Sequence, residues 1–176
     1  HGAQVNGENY LIPIGSQIEV EDDVDIEGVR TSSLLKILED ANAALNIVVL
    51  DACRNNPFES SSRSAHQGLA KMDAPTGTLL AYSTAPGQIA EDDPGSNSTY
   101  TKALSLAIRR PGATVEQVFK RVRIEVMSRT SDEQVPWESS SLTGDFYFTG
   151  GATPAPVATA PAIQPAPVVD KEAMFW

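Results

Sequence analysis

Asn46-Ile47-Val48-Val49-Leu50 is a short, continuous apolar run rich in β-branched side chains. No alternation divides it into a wet face and a dry one. It therefore predicts a strand covered on both faces, as in a parallel sheet flanked by helices. Asp51 ends the run, Cys53 is the single cysteine of the chain, and Asn55-Asn56-Pro57 stops the strand with turn residues. The carboxyl end of a parallel strand opens onto the crevice in which α/β proteins place their ligands. A thiol there, two residues after an aspartate and next to Arg54, reads as a nucleophile; an inert strand-end thiol is the plainer alternative.

The flanking segments fit that architecture. Thr31 to Leu45 predicts an amphipathic helix, capped by Ser or Thr at 31–33, with Leu34, Leu35, Leu38, Ala41 and Leu45 at helical spacing. It leads straight into Ile47 as half of a crossover unit. Ahead of it, His1 to Ile14 reads as a loop with a tight turn at Asn6-Gly7, followed by a short strand from Tyr10 to Ile14. After Phe58, the polar, Ser-rich stretch from Glu59 to Gly68 predicts a loop over the site. Gly77 to Ser83 predicts the next buried strand, ending at the crevice side in Ala85-Pro86-Gly87. A helix follows from Tyr100 to Arg110, stopped by Pro111-Gly112. Thr114 opens another, with Gln117 completing a capping box and Val115, Val118, Phe119, Val122 and Val126 facing the core. Lys120, Arg121 and Arg123 are expected on its surface, and Gly144 to Thr149 predicts the last strand.

Length allows one domain, expected over residues 1–150, with a tail. Residues 151–170 are dominated by Ala, Pro, Val and Thr and predict an extended linker; residues 171–176, ending in Met174-Phe175-Trp176, read as the start of a further segment. The formal net charge of −10 argues against nucleic acid, which needs clustered Lys and Arg. No apolar run approaches the roughly 20 residues of a membrane span. One cysteine excludes an internal disulfide framework and leaves the redox compartment open. The chain opens on His1 rather than Met, so it reads as part of a longer protein, with any signal peptide before it. Glu19 to Glu27 reads as an acidic loop. Within it Asp23-x-Asp25-x-Glu27-Gly28 begins like a calcium loop but places Leu34 where the bidentate glutamate belongs. A solvated loop is the favoured reading and calcium the lesser one; no other cofactor and no metal set is expected.

His1-Gly2 stands 52 positions before Cys53, and Asp51-Ala52-Cys53-Arg54-Asn55 parallels the caspase signature, whose histidine lies about 50 residues upstream of its cysteine. With Val48 to Phe58 and the later Val135-Pro136-Trp137-Glu138-Ser139-Ser140, the chain from His1 to about Gly150 resembles the bacterial caspase-like peptidases. These are the orthocaspases, relatives of metacaspases. The resemblance implies an α/β fold of the caspase-haemoglobinase type, a mostly parallel sheet flanked by helices, with its N-terminal strands missing from this chain. It implies a cysteine endopeptidase in which Cys53 attacks the scissile carbonyl and His1 is the general acid and base. The N–H groups of Gly2 and Cys53 would form the oxyanion hole.

Asp51 stands where caspases that cut after Asp carry Gln. The resemblance implies a pocket for a P1 Arg or Lys. Asp92 or Glu91 is a further candidate for negative potential there, on its placement in the loop after the next strand alone. The competing role for Asp51 is a structural carboxylate. Arg63 and Lys71 become candidate self-cleavage points, while His66 reads as a surface residue. His1 has a competing reading as a terminal artefact, and Trp137 is read equally as core or as cleft rim. Pro13-Ile14-Gly15 stands where metacaspase-like chains often have Pro-Val-Asp, which removes a candidate calcium ligand. The implied partners are a peptide or protein substrate with a basic P1 residue and the missing N-terminal part of the same domain. An exported or periplasmic location is favoured over a cytoplasmic one. The main rival is a catalytically silent caspase-like interaction module tethered by the Pro/Ala linker; a small-ligand-binding α/β domain is the third reading.

Overall fold

The structure, a computed structural model, describes residues 1–52, 69–86, 88 and 97–151. Among these residues there are two three-stranded sheets and four helices. The central sheet runs in the order β4 (Asn46–Leu50), β5 (Thr78–Tyr82), β6 (Trp137–Ser140). β4 and β5 pair parallel from Asn46 opposite Thr78 to Leu50 opposite Tyr82, and β6 closes the other side antiparallel, with Tyr82 opposite Trp137. The apolar run at 46–50 therefore forms a strand in an α/β sheet of mixed direction, but not the strand covered on both faces that its composition predicts, since only Leu50 is buried.

Period-two alternation sorts β5 between two cores. Leu80 and Tyr82 pack with Leu35 of α2 (Thr31–Asp40), Leu50 and Leu69 on one face. Leu79 and Ala81 pack with Val115 and Phe119 of α4 (Val115–Arg129) on the other. Behind α4 lies α3 (Thr99–Ala107), joined to it through Tyr100, Ala103, Ala107, Val118, Val122 and Val126. The expected core face of α4 is buried in full, and its capping box forms: the Thr114 hydroxyl accepts from Gln117 N–H and Gln117 Oε1 accepts from Thr114 N–H.

Four local expectations change. Glu19 to Glu27 is not a loop, because Glu21–Glu27 forms helix α1. Its acidic first turn suits a helix N-terminus, Asp23 accepts the N–H groups of Glu19 and Val20 at 2.9 and 3.0 Å, and Val24 supplies a buried anchor. The expected loop and strand at 1–14 is a hairpin, β1 (Gly2–Val5) with β2 (Glu8–Leu11), to which β3 (Val29–Arg30) adds. Asn6 and Gly7 both take positive φ at its turn (51° and 84°), as a two-residue hairpin loop requires. Gly144 to Thr149 is not a strand; among the described residues its pairing is a single bridge from Tyr147 to Thr114. Phe146 and Phe148 sit edge to face, 5.4 Å apart, against the α4 side of the sheet. Arg123, expected on the surface, is partly covered: it ion-pairs with Glu138 and donates to Pro136 O at 2.8 Å, tying α4 to β6.

Candidate active site

Leu50, Tyr82 and Trp137 lie side by side across the central sheet, so Asp51, Ser83 and Trp137 share one end of it. Ser83 N–H donates to Leu50 O at 3.0 Å, which ties the β5 end to β4, and Gln134 Nε2 donates to Ser83 O at 2.7 Å, which ties it to the segment before β6. Trp137 opens β6 rather than preceding the last strand. It is 43% exposed, which sets aside its reading as a core residue.

The hairpin brings His1-Gly2 to this end. A Cβ built on Gly2 would lie 3.1 Å from Ala52 Cβ and 3.3 Å from Leu69 Cδ2, so any larger residue would crowd both side chains and glycine suits this close approach of β1. The residue after His1 thus packs against the residue before Cys53. Ile12 N–H donates to His1 O at 2.9 Å, and antiparallel pairs alternate between bonded and non-bonded. Gly2, opposite Leu11, falls on a non-bonded pair, so its N–H points away from β2. His1 itself is exposed.

Asp51 is exposed, and its Oδ2 accepts two hydroxyl hydrogen bonds of 2.5 Å, from Ser98 and from Thr101. Ser98 caps α3, accepting from Thr101 N–H at 2.9 Å. Beside them Tyr100 is buried in the α3–α4 core, its hydroxyl without a hydrogen-bond partner among the described residues. Burial, then the negative charges of Asp51 and Glu138, push its phenol well above the ordinary range. Neither Ser98 nor Thr101 stands out in sequence reading; only the placement of Ser98 ahead of a helix hints at a cap.

Lys71 is exposed, with a weak ion pair to Asp73 at 3.8 Å. Its neighbours are held. Asn9 Nδ2 donates to Ala70 O at 2.8 Å, Asn9 Oδ1 accepts from Ala70 N–H at 2.7 Å, and Met72 N–H donates to the Tyr82 hydroxyl at 3.3 Å. Cys53, Arg54, Arg63, His66, Glu91, Asp92 and residues 152–176 lie outside the described residues.

Two of the three carboxylates of the calcium-like pattern make contacts of their own. Asp23 caps α1, and its carboxyl is held below its ordinary range by the N–H groups of Val20 and Glu19. Asp25 Oδ1 accepts from the Tyr10 hydroxyl and from Arg30 Nη2 at 3.0 Å, which depresses its carboxyl, the Tyr10 bond foremost. Among the described residues no three His, Cys, Asp or Glu side chains gather as a metal set. No helix among them is long and apolar enough to cross a membrane.

Residues 1–147 match the family described as caspase domain. Among solved structures, caspase-1 from Spodoptera frugiperda is similar at 20% identity and a TM-score of 0.41, over 60% of this chain and 46% of that one. The chain thus spans a little under half of that structure's length. No curated protein matches it.

Proposed function

We propose that this chain, which belongs to the caspase domain family, is a cysteine endopeptidase that cuts peptide bonds after Arg or Lys. The observation that carries the reading is the contact of Gly2 with Ala52, since each of these residues is the sequence neighbour of one member of the proposed dyad. In this reading His1 takes the Sγ proton of Cys53, and the thiolate attacks the scissile carbonyl. The N–H groups of Gly2 and Cys53 hold the oxyanion, and the imidazolium returns its proton to the leaving amine. Water then attacks the thioester with His1 as base, releasing the acid and restoring the thiol. The N–H of Gly2, turned away from β2, is unused by the hairpin and suits that task. Asp51, exposed one residue past the strand, supplies the negative charge for a cationic P1 side chain.

The test is fluorophore release from Arg-, Lys- and Asp-terminated peptides by the full-length protein, with Cys53→Ala and Asp51→Asn alongside. The parent is expected to turn over the basic peptides only. Cys53→Ala should lose about 10³-fold or more in kcat. Asp51→Asn should lose about 30-fold or more in kcat/KM, the worth of a charge pair in a cleft. Flat traces from the parent would reject the peptidase reading.

A further inference from the structure

The two hydroxyls on Asp51 bear on how its carboxylate meets a substrate. A carboxylate offers about four acceptor positions, two on each oxygen. The Ser98 and Thr101 hydroxyls both donate to Oδ2, each at 2.5 Å. The direction of the Ser98 bond is fixed by its second contact: its oxygen already accepts the Thr101 N–H at 2.9 Å, leaving the hydroxyl hydrogen for Asp51. Oδ2 is therefore filled from the α3 side. A guanidinium that pairs side-on with a carboxylate needs one N–H on each oxygen. An ammonium needs only one oxygen, because it acts as a point charge.

We infer that Ser98 and Thr101 are positioning residues that set substrate selectivity: by occupying Oδ2 of Asp51 they leave a single oxygen for the P1 side chain, so the site grips Arg end-on and accepts Lys nearly as well. The inference rests on the peptidase reading and deepens it. The hydroxyls touch no substrate; they act through the carboxylate they hold. A pocket built for arginine alone would leave both oxygens open, and this one spends half of its acceptor capacity on its own helix cap.

The experiment reads the ratio of kcat/KM for two peptides differing only in P1 Arg or Lys, measured on one preparation of the full-length protein. That ratio is unaffected by the fraction of enzyme that is folded. The parent should favour Arg by less than about tenfold. In Ser98→Gly with Thr101→Val both hydroxyls are gone, while glycine keeps most of the helix-capping preference. The ratio should then rise toward Arg by roughly tenfold, the worth of one additional charge-assisted hydrogen bond. Ser98→Thr with Thr101→Ser keeps both hydroxyls and should keep the parent ratio. The single variants each open one position on Oδ2 and should fall between. A parent that already prefers Arg by more than about a hundredfold overturns the inference, since that preference needs the side-on pair. An unchanged ratio in the unclamped variants overturns it too, as does loss of all turnover in every clamp variant that retains its fold. No turnover of either peptide by the parent rejects the peptidase reading itself, and this inference with it.

Discussion

β4 and β5 are parallel neighbours of five residues each, and as sequence they look interchangeable. In the structure they differ. Every residue of β5 is buried, with helices on both faces and strands on both edges. β4 has only Leu50 fully buried, Val49 is 39% exposed, and its outer edge has no partner among the described residues. The half-covered strand is the one that ends in Asp51 and leads to Cys53. Cover is concentrated in β5, which bears none of the proposed site residues, while the proposed Asp51 follows the strand with less cover.

That division can be broken by substitution. Leu80→Ala in β5 removes a fully buried side chain from the α2 face and should cost about 2–5 kcal/mol in urea denaturation, with kcat per folded molecule unchanged. Gly2→Ala pushes a methyl group into Ala52 and Leu69 and should cost about 1–3 kcal/mol. Because it displaces the β4 end, kcat should fall by more than the loss of folded protein accounts for; an unaltered kcat would detach that contact from catalysis.

Tyr100→Phe removes a buried hydroxyl that lacks a partner among the described residues and should stabilise the protein by up to about 1 kcal/mol. It also carries a pH signature. A phenol raised in the folded state contributes fully below its unfolded value, about 10, and that contribution is lost as pH rises through the folded value. Tyr10, raised by burial and by its bond to Asp25, acts in the same direction. Stability should therefore be flat to about pH 9 and decline above about 10, with a shallower decline in Tyr100→Phe. The smallest effect is expected from Val49→Thr on the exposed side of β4. It should change stability by less than about 1 kcal/mol; a larger loss would show that β4 is covered in solution as fully as β5.

What could be read in the sequence follows the same division. The β5 run, the α4 cap and the α4 core face are all specified by residues within a few positions of one another, and each is where its pattern puts it. The β4 end as the place of Asp51 was equally legible. Less so was Gly144 to Thr149, whose aromatics reflect the packing of the partly buried Phe146 and Phe148, while a strand needs a neighbour that this segment has, among the described residues, at Tyr147 alone. α1 was hidden by its charges, which look solvated until Val24 and the Tyr10–Asp25–Arg30 cluster fix one side of it. The hydroxyls on Asp51 come from positions 47 and 50 residues away, and such long-range polar contacts leave no periodic trace.

Asn9 closes a small loop of consequence. Its carboxamide grips both the N–H and the C=O of Ala70, in the way one strand holds another, and Leu69 beside it is wedged against Gly2. A backbone break anywhere between residues 53 and 68 would leave the downstream piece stapled to the hairpin on one side and zipped to β4 through β5 on the other. Such a nicked molecule would run as two bands on a denaturing gel and still travel through a sizing column as one body.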